Sequence, residues 1–472
     1  MRFALHGPAL VGLLLIAGCA SLEVDRNVSE ASAMAREAVG AEARLLRSDE
    51  DRRQAIAEID RVLEASLAID DAVRIAVAYG ASLQAALFEG AARSAGATQS
   101  ARLPNPVFTF ERLLRRHDGE VDKDIGRMLS FSVFDVLLLP ARLRAADYQQ
   151  QQLRLRAAGD VIQAAADARQ AWVRAVAAQQ SAIYAEQVKS AADAGAELAR
   201  RMQSVGNFSR LQRAREQAFY ADAVAQLARA QQGGRAAREA LIRTLGLDAV
   251  QAARLRLPDR LPDLPNAPDD ESVTARIALD QRIDVRMARA DLEYLARQQG
   301  LTRVTSYVDG LHLAAVHNTA TGLPPQKGFE VEMPLPIFDF GDARRAQAEA
   351  TYMAALNRAG LVGAHATSQV RESYGAYRTA WDIARHYRDE VVPLRKAIAE
   401  EMLLRYNGML IGVFELLADS RDQIGSVIQA IEAQRDFWLA DAQLRAALVG
   451  RPLGGVAMEM RSTPAAAGGG GH

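Results

Sequence analysis

From Ala141 to Gln203 the chain contains no proline, and glycine only at Gly159 and Gly195. An uninterrupted helix of about 60 residues is about 90 Å long at 1.5 Å per residue, and no globular core needs that length. A second run from Asp342 to Tyr406 has the same character, broken only near Pro393. Each is followed by a return helix, residues 211–245 and 413–449, after a short Gly- and Asn-containing break. Aromatics are only 6% of the 472 residues and alanine supplies much of the apolar content, a balance that suits long, closely packed helices.

Both long runs are preceded by period-two alternation, the mark of a strand with one apolar face. Val107 to Leu113 alternates weakly. Met128 to Val136 alternates Leu129, Phe131 and Val133 against Ser130 and Ser132. With Asp118-Gly119 as turn signal, residues 105–136 read as a β-hairpin. In the second half Phe329, Val331, Met333 and Leu335 alternate with Glu330, Glu332, Pro334 and Pro336, and residues 305–338 read as a second hairpin. Pro140 and the Pro334/Pro336 pair are expected to end their strands, because proline donates no ladder hydrogen bond.

The two halves repeat. Val133-Phe134-Asp135 matches Ile337-Phe338-Asp339 at a spacing of 204, Gly206 matches Gly408 at 202, and Leu245-Gly246 matches Val449-Gly450 at 204. Landmarks in one order at nearly one spacing indicate tandem duplication. The expected organisation is therefore a segment 1–18 removed on export and a first repeat 19–247, with its long helix pair at about 141–246. A Pro- and Asp-rich linker 248–271 follows, then a second repeat 272–450, with its helix pair at about 342–449. A Gly- and Ala-rich tail 451–472 is expected to be disordered.

The single cysteine, Cys19, excludes an intramolecular disulfide. It follows a basic start, an apolar run from Ala9 to Ala17 too short to span a bilayer, and small residues, Ala17-Gly18. That pattern resembles a bacterial lipobox, in which cleavage leaves a lipidated Cys19; an ordinary signal with a chance cysteine is the alternative. Ala20, rather than Asp, points to the outer membrane. No later stretch has about eighteen uncharged apolar residues, as a transmembrane helix needs. The segment from Cys19 to about Ser29 is expected to be an extended tether.

Four strands cannot close a barrel, and an open sheet edge cannot face lipid. Pooling strands from three chains supplies twelve, within the range of outer-membrane barrels. Phe108, Phe110, Leu129, Phe131, Val133, Val331, Met333 and Leu335 would then face lipid, with Ser130, Ser132, Glu330 and Glu332 facing a wet lumen. A soluble β-layer packed on helices, and a solid helical bundle, fit the same alternation and periodicity.

Net charge is −1 and pI about 6.7, which argues against a nucleic-acid partner. The seven histidines are scattered, without an HExxH, a nucleophile elbow or a P-loop, so neither an enzyme nor a cofactor site is indicated. His312 and His317 are expected on opposite faces of a strand. Met402 and Met409 could offer thioethers to Cu(I), although methionines at helical spacing are more often packing.

Taken together, Ile69-Asp70-Asp71-Ala72-Val73, Leu103-Pro104-Asn105-Pro106, Arg282-Ile283-Asp284, the junction Pro336-Ile337-Phe338-Asp339-Phe340-Gly341 and the breaks around Gly206 and Tyr406 resemble the TolC-like outer-membrane efflux family. The resemblance covers nearly the whole mature chain. It implies a mainly α protein with a β-barrel part: a trimer whose 12-stranded transmembrane barrel continues into an α-helical periplasmic barrel. It further implies a lipid-anchored outer-membrane duct, passive and gated. The duct would export solutes such as drugs or metal ions with a periplasmic adaptor and an inner-membrane pump of the resistance-nodulation-division or ABC type. An outer-membrane conduit for type I protein secretion, and a non-channel periplasmic scaffold lipoprotein, are the alternatives.

The same resemblance makes the two helix-to-helix turns periplasmic tips. Gly206, Asn207, Phe208, Ser209 and Leu211 in the first, and Asn407, Gly408, Met409, Leu410, Ile411 and Gly412 in the second, become candidates for adaptor contact. Tyr406 fits the family's gate tyrosine, but the arginine position reads Ile411 and the aspartate position Gln212. Glu415, Gln212 and Arg405, with Arg210 and Arg213, are the residues left to form a substitute.

Overall fold

The computed structural model describes residues 19–117, 119–270, 282–306 and 310–451. The expected signal segment, most of the tail and the first turns of the helix expected from Ser272 lie outside them. Helix α1 spans Cys19–Val39, α2 Asp49–Val62, α3 Ile69–Tyr79 and α4 Ala81–Ser100. Strands β1 (Val107–His117) and β2 (Glu120–Ser132) lead into α5 (Val133–Ser204), which returns as α6 (Arg210–Leu245). After the short α7 (Ala249–Arg254) come α8 (Ile283–Thr305), β3 (His312–Ala320) and β4 (Gln326–Glu332). The second helix pair is α9 (Asp342–His386), a π-turn (Tyr387–Val391), α10 (Val392–Asn407) and α11 (Val413–Val449).

Helix α5 is the spine. On it pack α6, α11, α8 and the N-terminal helices α1, α3 and α4, while α9 packs between α8 and α11. The core is centred on the middle of α5, where Leu155, Val161, Trp172, Val173 and Val176 cluster with Ile75, Val77, Leu83 and Leu87 of α3 and α4. The stretch Ile69–Ser100 is apolar and long enough by composition to cross a membrane. It is divided at Gly80 into two helices whose buried side packs on α5.

Several sequence expectations need correction. The stretch expected to be a tether after Cys19 is the beginning of α1. A buried polar cluster pins this helix: Asn27 Nδ2 donates to Gln150 Oε1 at 2.7 Å and to Ser94 Oγ at 2.9 Å. Pro140 does not stop a strand. Helix α5 already begins at Val133, so Val133 lies outside the sheet and Pro140 lies inside the helix. The early start has a cause. Ser132 caps the helix by accepting from Asp135 N at 3.2 Å, and the Leu311 carbonyl accepts from Val133 N at 2.9 Å. The ladder bond that Pro140 cannot donate would go to Val136, and both residues are exposed, so the carbonyl can be solvated.

The matching junction is built differently. Met333 and Leu335 lie beyond the end of β4, and helix α9 waits until Asp342. Gly341 caps it at φ 68°, where an added Cβ would lie 2.5 Å from the Ser306 carbonyl oxygen and 2.6 Å from its Cβ. Only glycine fits both the backbone and the space. Thus Val133-Phe134-Asp135 opens a helix, whereas Ile337-Phe338-Asp339 precedes one.

The segment between repeats is a fitted strap. Leu255, Leu257, Leu261 and Leu264 are buried. Trp438 donates its indole N–H to the Pro262 carbonyl at 3.0 Å and Trp381 to Pro265 at 3.2 Å. On the other side Arg238 donates to the Leu255 carbonyl at 2.6 Å. The strap therefore ties α6 to α9 and α11 across the chain.

Candidate functional site

The four strands form one antiparallel sheet in the order β1-β2-β3-β4, so the two hairpins, far apart in sequence, join through β2 and β3. Strands β1 and β4 are edges with unpaired ladder groups. Residues directly opposite one another share a face. Phe108 pairs with Leu129, Leu129 with Ala315, and Ala315 with Phe329. The next rung toward the helices pairs Phe131 with Leu313 and Leu313 with Val331. The expected apolar set Phe108, Phe110, Leu129, Phe131 and Val331 therefore lies on one face. Ser130, Ser132, Glu330 and Glu332 lie on the other, and His312 and His317 fall on opposite faces.

The two faces differ in exposure as well as in chemistry. Along β2, Arg127, Leu129 and Phe131 are exposed while Gly126, Met128, Ser130 and Ser132 are half-buried. Phe329 is 80% exposed, on a face that none of the described residues covers. A wide, uncovered apolar sheet face is the mark of a surface meant for a non-aqueous neighbour.

At the far end of the long helices the first tip closes as a Schellman motif. Gly206 takes φ 80°, and Asn207 N donates to the Met202 carbonyl at 2.9 Å. Ser209 and Gln212 form a capping box for α6: Gln212 N donates to Ser209 Oγ at 3.2 Å and Ser209 N to Gln212 Oε1 at 2.8 Å. The second tip makes the equivalent bond from Leu410 N to the Arg405 carbonyl, 2.9 Å. Here the left-handed residue is Met409, at φ 58°, not Gly408, which has an ordinary φ as the C-cap of α10 after Asn407. Gly412 is the N-cap of α11.

Of the candidate contact residues, Leu211, Met409 and Leu410 are well exposed, Met409 at 93%, and Ile411 is half-buried. Phe208 corrects the expectation. It is buried against Ala199 and Val413, with Met202, Phe414 and Leu417 around it, so it staples the two tips together. Met402 is half-buried on α10 while Met409 stands on the turn. Among the described residues no group of three or more His, Cys, Asp or Glu could hold a metal.

The gate candidates do not form one network within the chain. Gln212 is occupied in its capping box, and Arg405 Nε pairs with Glu401 one turn back at 2.8 Å. Arg213 reaches Gln203 at 2.8 Å. The Tyr406 hydroxyl and the Glu415 carboxylate have no side-chain partner among the described residues. The polar link between the tips lies one turn further in: Glu216 of α6, 2% exposed, pairs with Arg421 of α11. The Arg421 guanidinium also sits 4.8 Å over the Phe219 ring. Sequence reading missed this pair. The signal that could have found it was a lone Glu and a lone Arg 205 residues apart, within a few residues of the repeat spacing.

No protein-family model matches the sequence, and no curated protein matches it. Solved structures do resemble it. The Campylobacter jejuni CmeC outer membrane channel superposes with a TM-score of 0.67 at 14% identity, covering 87% of this chain and 89% of that one. A Pseudomonas aeruginosa membrane protein gives 0.67 at 19% identity, over 83% and 93%. The open state of the Neisseria gonorrhoeae MtrE outer membrane channel gives 0.64 at 17% identity, over 84% and 89%. At such identities the likeness shows the fold, and the fold is that of outer-membrane channels.

Proposed function

We propose that this chain is a TolC-like outer-membrane factor: one third of a trimeric, lipid-anchored channel that exports solutes. The observation that carries the reading is the sheet. It has one apolar face uncovered among the described residues, one polar face and two unpaired edges; the apolar face is a liability in water and the open edges are a liability in lipid. Joining β4 of one copy to β1 of the next removes both edges. Three copies supply twelve strands, a size at which barrels close around a lumen. The helices support the same arrangement. Helix α6 packs mainly on α5 and α10 mainly on α11, which leaves both at the margins of the helical layer, as the edge strands are at the margins of the sheet.

The exposed apolar turn around Leu211, Met409 and Leu410 is the surface offered to a periplasmic adaptor, which would link the duct to an inner-membrane pump. Cys19, at the beginning of α1, is the proposed lipid anchor. A wide lumen need not hold a specific pocket, so the choice among drugs, metal ions and secreted polypeptides would fall to the pump rather than to this chain.

Cysteines at Thr109 in β1 and Gly328 in β4 test the closure. A short bismaleimide is expected to convert the purified T109C/G328C protein to covalent dimers and then trimers, with no larger species. A product that stays monomeric, or a ladder that continues past three, would contradict it.

A further inference from the structure

The charges of the sheet are sorted by face. Every carboxylate of the four strands, Glu111, Glu120, Asp122, Asp124, Glu330 and Glu332, lies on the polar face that the channel reading turns to the lumen. The apolar face carries no Asp or Glu, yet Arg112, Arg116, Lys123, Arg127 and Lys327 lie on it; only Arg115 falls on the other side. These cations are also sorted by height. The two rungs nearest the helices, through Phe131 and Leu129, are wholly apolar. The next joins Phe110, Arg127, His317 and Lys327, and Arg112, Lys123 and Arg116 follow toward the turns.

None of the five cations has a carboxylate partner among the described residues, and all are exposed. Unpaired cations directly above an apolar band are expensive to leave beside lipid tails. They fit a layer of anionic headgroups, which attracts lysine and arginine side chains held near its surface. The cationic rungs lie at the turn end, opposite the helices, which is the outer side if the helices hang in the periplasm. Neighbouring strands are about 4.8 Å apart, so Arg127 and Lys327, two strands apart, are about 10 Å apart at the backbone. Their long side chains can converge on one phosphate.

We infer that the turn end of the barrel carries a cationic girdle that binds the phosphate groups of lipids in the outer leaflet. The girdle rests on the channel reading, since it needs the apolar face to meet lipid. It holds the barrel at a fixed height and tightens the junction between copies, because β1 and β4, the strands that would meet, both contribute cations.

The test uses the purified full-length protein, the variant R112S/K123S/R127S/K327S, and the lumen-side control E330Q/E332Q. Each is loaded with radiolabelled lipid A in detergent, washed, counted, and then assayed for conductance in a planar bilayer. Wild type and control are expected to retain lipid A, with retention falling at least tenfold in the four-site variant and sharply in 0.5 M salt. Conductance should persist in all three. Equal retention by the conducting variant would overturn the girdle and leave the channel standing. Absence of conductance from the wild type would overturn both. Displacement of lipid A by millimolar inorganic phosphate would show a small-anion site and overturn the lipid assignment.

Discussion

The Arg282 guanidinium, with no exposure to solvent, grips the Asp284 carboxylate with two bonds, Nε to Oδ1 at 3.0 Å and Nη2 to Oδ2 at 2.6 Å. Its remaining nitrogen donates to the Ala447 carbonyl of α11 at 2.6 Å, and Nη2 also reaches Gln369 of α9 at 3.0 Å. One side chain thus joins the entry of α8 to both helices of the second pair. The C-cap Gly450 leaves the room: a Cβ there would lie 2.3 Å from Asp284 Oδ1.

Arg282→Lys should be costly, because an ammonium cannot supply this planar set of donors. A loss of about 3–5 kcal/mol is expected, the range for breaking a buried pair, read from denaturant midpoints at constant slope. A loss below about 1 kcal/mol would show that the fork does little.

Closure at the tips should depend on Glu216 more than on Tyr406. Glu216→Gln leaves Arg421 without its counter-charge, between α6 and α11, and single-channel conductance should rise severalfold. Tyr406→Phe removes a hydroxyl with no side-chain partner among the described residues, and conductance should stay near wild type. The reverse ranking in planar bilayers would place the gate at Tyr406.

Met409 holds a left-handed backbone without being glycine, which costs about 1–2 kcal/mol. Met409→Gly is therefore expected to raise stability by about 1 kcal/mol, measured as the denaturant midpoint. A neutral or destabilising result would mean that the Met409 side chain makes contacts between copies worth more than the strain.

Burial holds the Asp160 carboxyl above the usual carboxylate range, against the pull of Arg451 3.0 Å away. A raised acid stabilises the fold while protonated and loses that contribution as pH rises through its folded-state pKa. The melting temperature of Asp160→Asn relative to wild type should therefore increase between pH 3 and pH 7. A flat difference across that range would remove the burial argument.

How far the sequence could be read followed how local the cause was. The helix runs, both hairpins and the face of Phe108, Leu129 and Val331 are written in period and composition within a few residues. The junctions were misread because their causes are distant. Ser132 can start α5 at once because Leu311, from the other repeat, accepts the free N–H of Val133. Gly341 is required by Ser306, and the inter-repeat segment is held by tryptophans more than a hundred residues away. At the tips, Phe208 looked like an exposed apolar residue because only the fold brings Val413 against it. The Glu216–Arg421 pair is non-local for the same reason.

The most direct test is the mass and conductance of the purified full-length protein on one preparation. Three copies per particle are expected by native mass spectrometry, and discrete, long-lived current steps when the same sample is added to a planar bilayer. A water-soluble single copy that leaves the bilayer silent would contradict it.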